Sequence, residues 1–279
     1  MSASDISTKS SAASPRLALD VDLVSRGLTA QRLGRQFSYF TELDSTNTRA
    51  RRLAEGGAEE GHVIIAESQI RGRGRLGRRW ISPPYANLYF SIILRPQLPP
   101  ALAPQITLMA AVALAETLQF FVSVRPLIKW PNDILIDGKK LAGILTEVSC
   151  SREQVDFVIL GVGVNVNFSL EEMPAEIRET ATSVCAVRGN SVGREAFLRR
   201  LIQDLDRCYG EIEATGFATL ASRWESYFGT RGQRVRIELL DHVMVGLARG
   251  IDQDGALIIE DEDGNRQRVV AGDVTPIAD

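Results

Sequence analysis

Residues 69–80 constrain the fold most, because they carry the glycine spacing of a dinucleotide-binding loop without its structural context. Gly72, Gly74 and Gly77 match G-x-G-x-x-G, a pattern that leads directly into a helix in doubly wound folds. Here residues 81–84 follow instead of a helix. The dinucleotide-binding fold is therefore excluded, and any anion at this loop must be held by side chains.

Five arginines stand among the nine residues 71–79 and could supply those side chains. Guanidinium groups bind phosphate oxygens through paired hydrogen bonds, and glycine lets the backbone fold closely over a ligand. Trp80 ends the segment and is suited to stacking on a planar base. We expect the loop to bind a polyanion such as triphosphate. The alternative is a nucleic-acid-binding patch of a non-enzymatic regulator.

The charge balance favours the first interpretation. The formal net charge is −3 and the sequence pI is about 5.6, whereas proteins that coat nucleic acid or anionic membranes carry a broad positive excess. The chain has two histidines, His62 and His242, and three widely spaced cysteines, Cys150, Cys185 and Cys208. A histidine-rich metal site, a Ser-His-Asp triad and a disulfide framework are disfavoured, and a cytoplasmic location is expected.

Neither the N-terminal residues nor the most apolar stretch predicts a membrane segment. Residues 1–15 lack the apolar core of a secretory signal, and residues 1–18 are predicted to be a disordered tail. Residues 96–115 are uncharged but contain four prolines, which is typical of a loop leading into a buried helix.

Hydrophobic periodicity predicts an α+β catalytic domain over residues 19–228. Helices are expected at about 45–55, 105–121 and 195–212, an irregular segment at 167–192, and strands at 37–41, 62–67, 88–94, 127–130, 142–148 and 156–162. After Gly229 the pattern changes to short β-type runs separated by Asp-Gly turns, at 234–239, 244–251, 257–260 and 267–270. Residues 229–279 are predicted to form a separate small β-barrel.

Lysine is rare, with four among the 32 basic residues, and three of these lie within twelve positions of one another: Lys129, Lys139 and Lys140. An ammonium group is a compact point charge, whereas a guanidinium group is a wide planar fork. Arginine bias in a genome explains most of the pattern. The clustered lysines nevertheless indicate a contact at which arginine would not serve.

Four further motifs recur in order, and each alone could be a cap, a turn or a strand end. They are Ser-Thr-Asn at 45–47, KWPND at 129–133, KLAGILTE at 140–147 and GVGVNVN at 161–167. Together with GRGRLGRRW at 72–80, their order resembles the biotin protein ligase family over roughly residues 35–275. The sequence departs from that pattern at Ile70, where threonine is usual, and at Arg71.

The resemblance implies a mixed β-sheet with packed helices, related to class II aminoacyl-tRNA synthetases and lipoate ligases. A small SH3-like β-barrel would follow at the C-terminus. Roughly 35 residues precede the catalytic region, too few for the helix-turn-helix domain of the family's repressors. We therefore expect no sequence-specific DNA binding and no membrane association, and either a monomer or a homodimer.

The resemblance also implies the site. Ser45, Thr46, Asn47 and Gln69 would bind the ureido head of biotin, and Gly143, Gly161 and Gly163 would admit its apolar body. Further biotin contacts would come from Gly72, Arg73, Gly74, Arg75 and Lys140. ATP would be bound by Arg75, Arg78, Trp80, Asn132, Lys140 and Asn165, with Trp80 covering the adenine. Lys140, Arg75 and Arg78 would carry catalysis.

The implied reaction uses ATP and Mg²⁺ to form biotinyl-5'-AMP, which then biotinylates a lysine of a biotin carboxyl carrier protein domain. Such catalysis needs positioning and charge neutralisation rather than an enzyme nucleophile, which suits a chain rich in cations and poor in histidine. A lipoate- or octanoate-protein ligase on the same fold is the enzymatic alternative. No metal ligands can be assigned from the sequence.

Overall fold

The computed structural model of the protein describes residues 16–239 and 242–277. The first fifteen residues of the expected tail lie outside the described residues. The helices are Val21–Ser25 (α1), Thr46–Glu55 (α2), Pro104–Phe121 (α3), Ala175–Arg178 (α4), Val184–Arg188 (α5), Arg194–Thr215 (α6) and Ala218–Tyr227 (α7). The first seven strands are Gln36–Leu43 (β1), His62–Gln69 (β2), Leu88–Leu94 (β3), Leu127–Lys129 (β4), Asp133–Ile136 (β5), Lys139–Ser151 (β6) and Gln154–Val164 (β7).

These seven strands form one sheet in the described chain, in the order β1-β2-β3-β7-β6-β5-β4. β1 and β2 run parallel, and the other neighbouring pairs run antiparallel. The mixed sheet implied by the resemblance is thereby confirmed. Three elements had not been predicted: α1, α7 and the short strand β5. The segment expected to be irregular contains α4 and α5, whose four and five residues are too few to give a helical period.

The sheet is covered on both faces, which explains why all seven residues of β3 are buried. On one face, Ala50 and Ala54 of α2 pack against Ile64 and Ile93. On the other face lies the main core, to which α3 and α6 contribute. The segment Pro100–Phe121 is long and apolar enough to cross a membrane, but 78% of its most apolar window is buried inside the protein, as in a core helix.

The C-terminal residues form a second sheet from Arg234–Glu238 (β8), Val243–Ile251 (β9), Leu257–Glu260 (β10), Arg266–Val269 (β11) and Asp273–Pro276 (β12). Within the described residues its order is β11-β10-β9-β8-β12, all antiparallel, which agrees with an SH3-like unit. The Asp-Gly turns are confirmed, since Gly255 and Gly264 have φ values of 92° and 81°. β12 was not predicted from the sequence.

The C-terminal sheet packs against the larger unit through specific polar contacts. The Trp130 indole donates to the Gly255 carbonyl at 3.3 Å, and the Gln105 amide donates to the Gln253 carbonyl at 3.2 Å. The backbone N–H of Ile251 donates to Glu225 at 2.8 Å. These bonds hold one end of the C-terminal sheet beside the KWPND segment.

The first described residues belong to the folded structure. Arg16 donates to the Asn167 carbonyl at 2.8 Å, and the Leu17 carbonyl accepts a 2.7 Å bond from Arg194. Arg194 is itself buried in an ion pair with Glu67, at 2.6 Å. Arg16 and Leu17 therefore contact the folded structure, although residues 1–18 were expected to form a disordered tail.

Two truncations should differ in stability for this reason. A chain beginning at Ala18 should melt about 2–4 °C below one beginning at Arg16, as expected for a loss of about 1 kcal/mol in a protein of this size. The buried Arg194 guanidinium loses the Leu17 carbonyl in the shorter chain only. Thermal unfolding followed by circular dichroism measures the difference. Equal melting temperatures would show that residues 16–17 contribute nothing.

Candidate functional site

A cavity of roughly 200 Å³ lies where residues 69–80, the start of α2 and the strands β6 and β7 meet. All but one of the residues that the sequence assigned to the site line it: Ser45, Thr46, Asn47, Gln69, Arg73, Gly74, Arg75, Arg78, Trp80, Asn132, Lys140, Gly143, Gly161, Gly163 and Asn165. Gly72 is the exception. A Cβ there would lie 2.5 Å from the Trp80 carbonyl, so Gly72 allows the close approach of the two backbones at the base of the loop.

One end of the cavity is built on the N-terminus of α2. Ser45 is the N-cap residue, but its side chain makes no capping bond within the described chain. The cap comes from Gln69, whose Oε1 accepts the backbone N–H of Thr46 at 2.9 Å and lies 3.2 Å from the Thr46 hydroxyl. Ser45 therefore occupies an N-cap position that the sequence predicted, but its hydroxyl is not committed to the helix.

Ser91, which was not predicted as a site residue, bonds to the side chains of Thr46 and Asn47 at the start of α2. It is fully buried in β3, 2.7 Å from Asn47 Oδ1 and 2.8 Å from the Thr46 hydroxyl. The Asn47 amide also donates to the Leu145 carbonyl at 3.1 Å. A hydroxyl inside the otherwise apolar run Leu88–Leu94 was the sequence signal for this residue. Thr46, Asn47, Gln69 and Ser91 thus form one hydrogen-bonded polar cluster at the start of α2.

The glycines of β6 and β7, Gly143, Gly161 and Gly163, leave room for side chains of the protein itself. A Cβ on Gly161 would lie 2.0 Å from Asn47 Oδ1, and a Cβ on Gly163 would lie 2.7 Å from the Trp80 indole. The indole also lies 3.0 Å from the Cβ position of Gly143. Trp80 therefore occupies the space over two glycines that were expected to admit the ligand directly, and its buried Nε1 has no partner among the described residues.

The arginine loop, residues 71–79, is closed at its base and held by contacts of Arg73, Arg75 and Arg78. The Trp80 N–H donates to the Gly72 carbonyl at 2.9 Å, and residues 75–77 form a 3₁₀ turn with Leu76 in a left-handed conformation (φ 54°). Arg73 forms an ion pair with Glu147 of β6 at 2.9 Å, and Arg78 forms one with Asp273 of β12. Both acidic partners lie far away in the sequence.

Arg75 differs from its two neighbours. Its guanidinium lies 3.3 Å from the Asn132 amide oxygen and 3.1 Å from the Gly272 carbonyl, both neutral acceptors. Burial lowers the pKa of Arg75, and the charges of Asp133 and Asp273 partly oppose this. A half-buried cation held by neutral groups keeps its charge available for an anion.

Lys140 enters the cavity from the opposite wall. Its Nζ lies 2.7 Å from Asp133 Oδ1, across the β5–β6 pair, and 5.4 Å from the centre of the Trp80 ring. The structure therefore brings the lysine singled out by composition together with the tryptophan and the arginines. Asp133 belongs to the KWPND motif but had not been assigned to the site.

The two asparagines make mainly structural bonds. Asn132 donates to the Ile144 carbonyl at 2.9 Å and accepts from Arg75. Asn165, 6% exposed, donates to the Thr182 carbonyl at 3.0 Å and accepts from Asn87 at 3.4 Å. Both line the cavity with their amides already engaged.

Comparison with known proteins gives this cavity its context. A model described as the biotin/lipoate A/B protein ligase family matches residues 39–165, and one described as the biotin protein ligase C-terminal domain matches residues 230–275. The biotin--[acetyl-CoA-carboxylase] ligase of Paracoccus denitrificans is 36% identical over 234 residues, covering 83% of this chain and 96% of that protein. The chain belongs to the biotin protein ligase family.

Other members agree in sequence and in fold. The biotin--[acetyl-CoA-carboxylase] ligase of Mycobacterium tuberculosis is 35% identical over 263 residues, covering 90% of this chain and 95% of that one. The biotin protein ligase of Aquifex aeolicus, solved in complex with biotin and ATP, superposes with a TM-score of 0.74 at 28% identity. That likeness covers 86% of this chain and 98% of the Aquifex chain.

The role of Gly161 in this member of the biotin protein ligase family can be tested by stability. Gly161→Ala should lower the free energy of unfolding by about 1–3 kcal/mol, because Asn47 must move and leave buried polar groups unpaired. Urea denaturation measures the change. Gly210→Ala is the matched control: its Cβ meets nothing within 4 Å, and alanine in a helix should stabilise by about 0.5–1 kcal/mol. Equal behaviour of the two variants would contradict the assignment.

Proposed function

We propose that the protein is an ATP-dependent ligase that converts biotin to biotinyl-5'-AMP and transfers the biotinyl group to a lysine of a biotin carboxyl carrier protein domain. One observation carries this proposal. A single cavity holds a preformed polar cluster at the start of α2 at one end and the arginine loop with Lys140 at the other. Biotin has a polar ureido ring, an apolar chain and a carboxylate, and ATP supplies the polyanion.

The first step joins two anions. A carboxylate oxygen of biotin attacks the α-phosphorus of ATP, the bond to the β-phosphate oxygen breaks, and pyrophosphate leaves. Lys140 would lie between the carboxylate and the α-phosphate, and Arg75 would meet the phosphates, because both enter the cavity. Fixed cations in a poorly solvated cavity stabilise the charge that develops in such a transition state. In the absence of substrate, Asp133 holds the Lys140 ammonium in place.

In the second step, the amine of a carrier lysine attacks the carbonyl carbon of the adenylate, and AMP leaves with the electron pair of the broken bond. The enzyme forms no covalent bond with the biotinyl group. The acyl group is already activated and the amine loses one proton as the amide forms, so the protein's part is to bind, orient and exclude water from the carbonyl. This agrees with a site composed of cations, amides and hydroxyls.

The protein groups fit a magnesium ion that arrives with ATP. Among the described residues, no group of three or more acidic, histidine or cysteine side chains could form a resident metal site. Asp133 and Asp273 line the cavity as carboxylates, and each is paired with a cation. Mg²⁺ bound by nucleotide phosphates typically takes one or two carboxylates and completes its shell with water. The ion would neutralise phosphate charge.

The family model that covers residues 39–165 includes lipoate ligases, so the acyl group needs a direct test. Pyrophosphate exchange with purified protein should proceed with ATP and biotin, and not with lipoate or octanoate. Exchange with lipoate in place of biotin would overturn the choice of substrate. The match of residues 230–275 to a biotin protein ligase C-terminal domain supports biotin as the substrate. We also propose that the enzyme is cytoplasmic, is not a repressor and is either a monomer or a homodimer.

Lys140 provides the sharpest test of the chemistry. Lys140→Arg should slow adenylate formation in single turnover by on the order of 100- to 1000-fold, because a wider guanidinium would displace one of the two anions. Lys139→Arg is the matched control, since the neighbouring Lys139 does not line the cavity. Rates near wild type for both variants would remove Lys140 from the mechanism. A melting temperature within the range of the control would show that Lys140→Arg is folded.

A further inference from the structure

Asp273 lies on the C-terminal sheet but lines the cavity of the larger unit. Its carboxylate forms an ion pair with Arg78 of the arginine loop, and its Oδ1 lies 3.6 Å from Lys129 Nζ at the end of β4. The preceding residue, Gly272, accepts a 3.1 Å hydrogen bond from Arg75. Asp273 and the residue that precedes β12 therefore contact three cations from two separate segments.

The position of Asp273 is fixed by its own sheet. It pairs with Glu238 at the start of β12, and the backbone before it packs closely, because a Cβ on Gly272 would lie 2.7 Å from Ile237 Cγ2. The side chain is 17% exposed. Burial alone would raise the pKa of Asp273, but Arg78 and Lys129 outweigh burial, so its pKa lies below the usual value. The carboxylate is charged at neutral pH.

Arg78 and Lys129 need such a partner. The side chain of Arg78 is 63% exposed, and a long flexible cation on an exposed loop loses rotamer freedom when it is held in one place. Arg75, Arg78 and Lys129 also repel one another as like charges. A fixed carboxylate at their meeting point offsets both costs before any ligand arrives.

We propose that Asp273 is a positioning residue of the nucleotide site, which gathers Arg78 and Lys129 at the edge of the cavity that receives the phosphates of ATP. The C-terminal sheet thereby completes the nucleotide site of the larger unit. This inference rests on the proposed function, because it requires that a nucleotide binds at the arginine loop. It assigns a role to Asp273 that the sequence did not indicate, and a partner to Lys129, one of the clustered lysines.

The test is a comparison of KM values in biotin-dependent pyrophosphate exchange with the full-length protein. Asp273→Asn should raise KM for ATP by about tenfold, since the order of one or two long basic side chains is lost. KM for biotin should stay within a factor of two, because the polar cluster at α2 is untouched. Asp273→Glu keeps the charge and should recover part of the affinity for ATP.

Two further variants make the result specific. Asp254→Asn is the matched control: this acid lies in the turn between β9 and β10, is paired with Arg268 at 2.8 Å and does not line the cavity, so both KM values should be unchanged. Lys129→Gln should raise KM for ATP, and its effect should be less than multiplicative with Asp273→Asn, because both remove one interaction. Lys129→Gln alone also tests the proposal if Asp273→Asn does not fold.

Several outcomes would overturn the proposal. An unchanged KM for ATP would mean that Asp273 is a bystander, and a lowered one would mean that it competes with the phosphates. Equal rises in both KM values, with no recovery in Asp273→Glu, would indicate general damage instead of positioning. Failure of the proposed function is distinguishable from all of these, because wild-type protein would then show no exchange with biotin.

Discussion

Neutralisation of the arginine loop is the constraint on which the candidate site depends. Five guanidinium groups within nine residues repel one another, and their glycine-rich backbone has little stiffness of its own. The protein supplies hydrogen-bond acceptors from three places: Glu147 on β6, Asn132 after β4, and Gly272 and Asp273 at the start of β12. The loop takes its shape from these distant partners as much as from its own sequence.

These partners hold three of the five loop arginines. Arg73 and Arg78 are each paired with a carboxylate, and Arg75 is held by neutral oxygen atoms. Among these three arginines, Arg75 alone is held without an ion pair to a carboxylate of the described chain. A ligand phosphate would therefore compete less with protein carboxylates at Arg75 than at Arg73 or Arg78.

Hydrophobic periods, which are local, predicted six of the seven strands of the larger sheet and the helices α2, α3 and α6. The residues that line the cavity came from the resemblance to a family. The sequence was insufficient to show how those residues interact. The motif at 45–47 indicated a helix cap, but not that the capping side chain is Gln69, 24 positions after Ser45. Nor did the sequence indicate that Trp80 lies over Gly143 and Gly163. Contacts of this kind depend on strand register, which a single sequence does not reveal.

The cap supplied by Gln69 connects α2 to the cavity. Gln69 ends strand β2, and its side chain both caps the first turn of α2 and faces the cavity. A ligand carbonyl that displaced the Gln69 oxygen would itself become the cap of the helix, because the freed N–H of Thr46 would need an acceptor. Ligand binding and the capping of α2 would then be coupled, because the ligand would supply a hydrogen bond that the first turn of the helix needs.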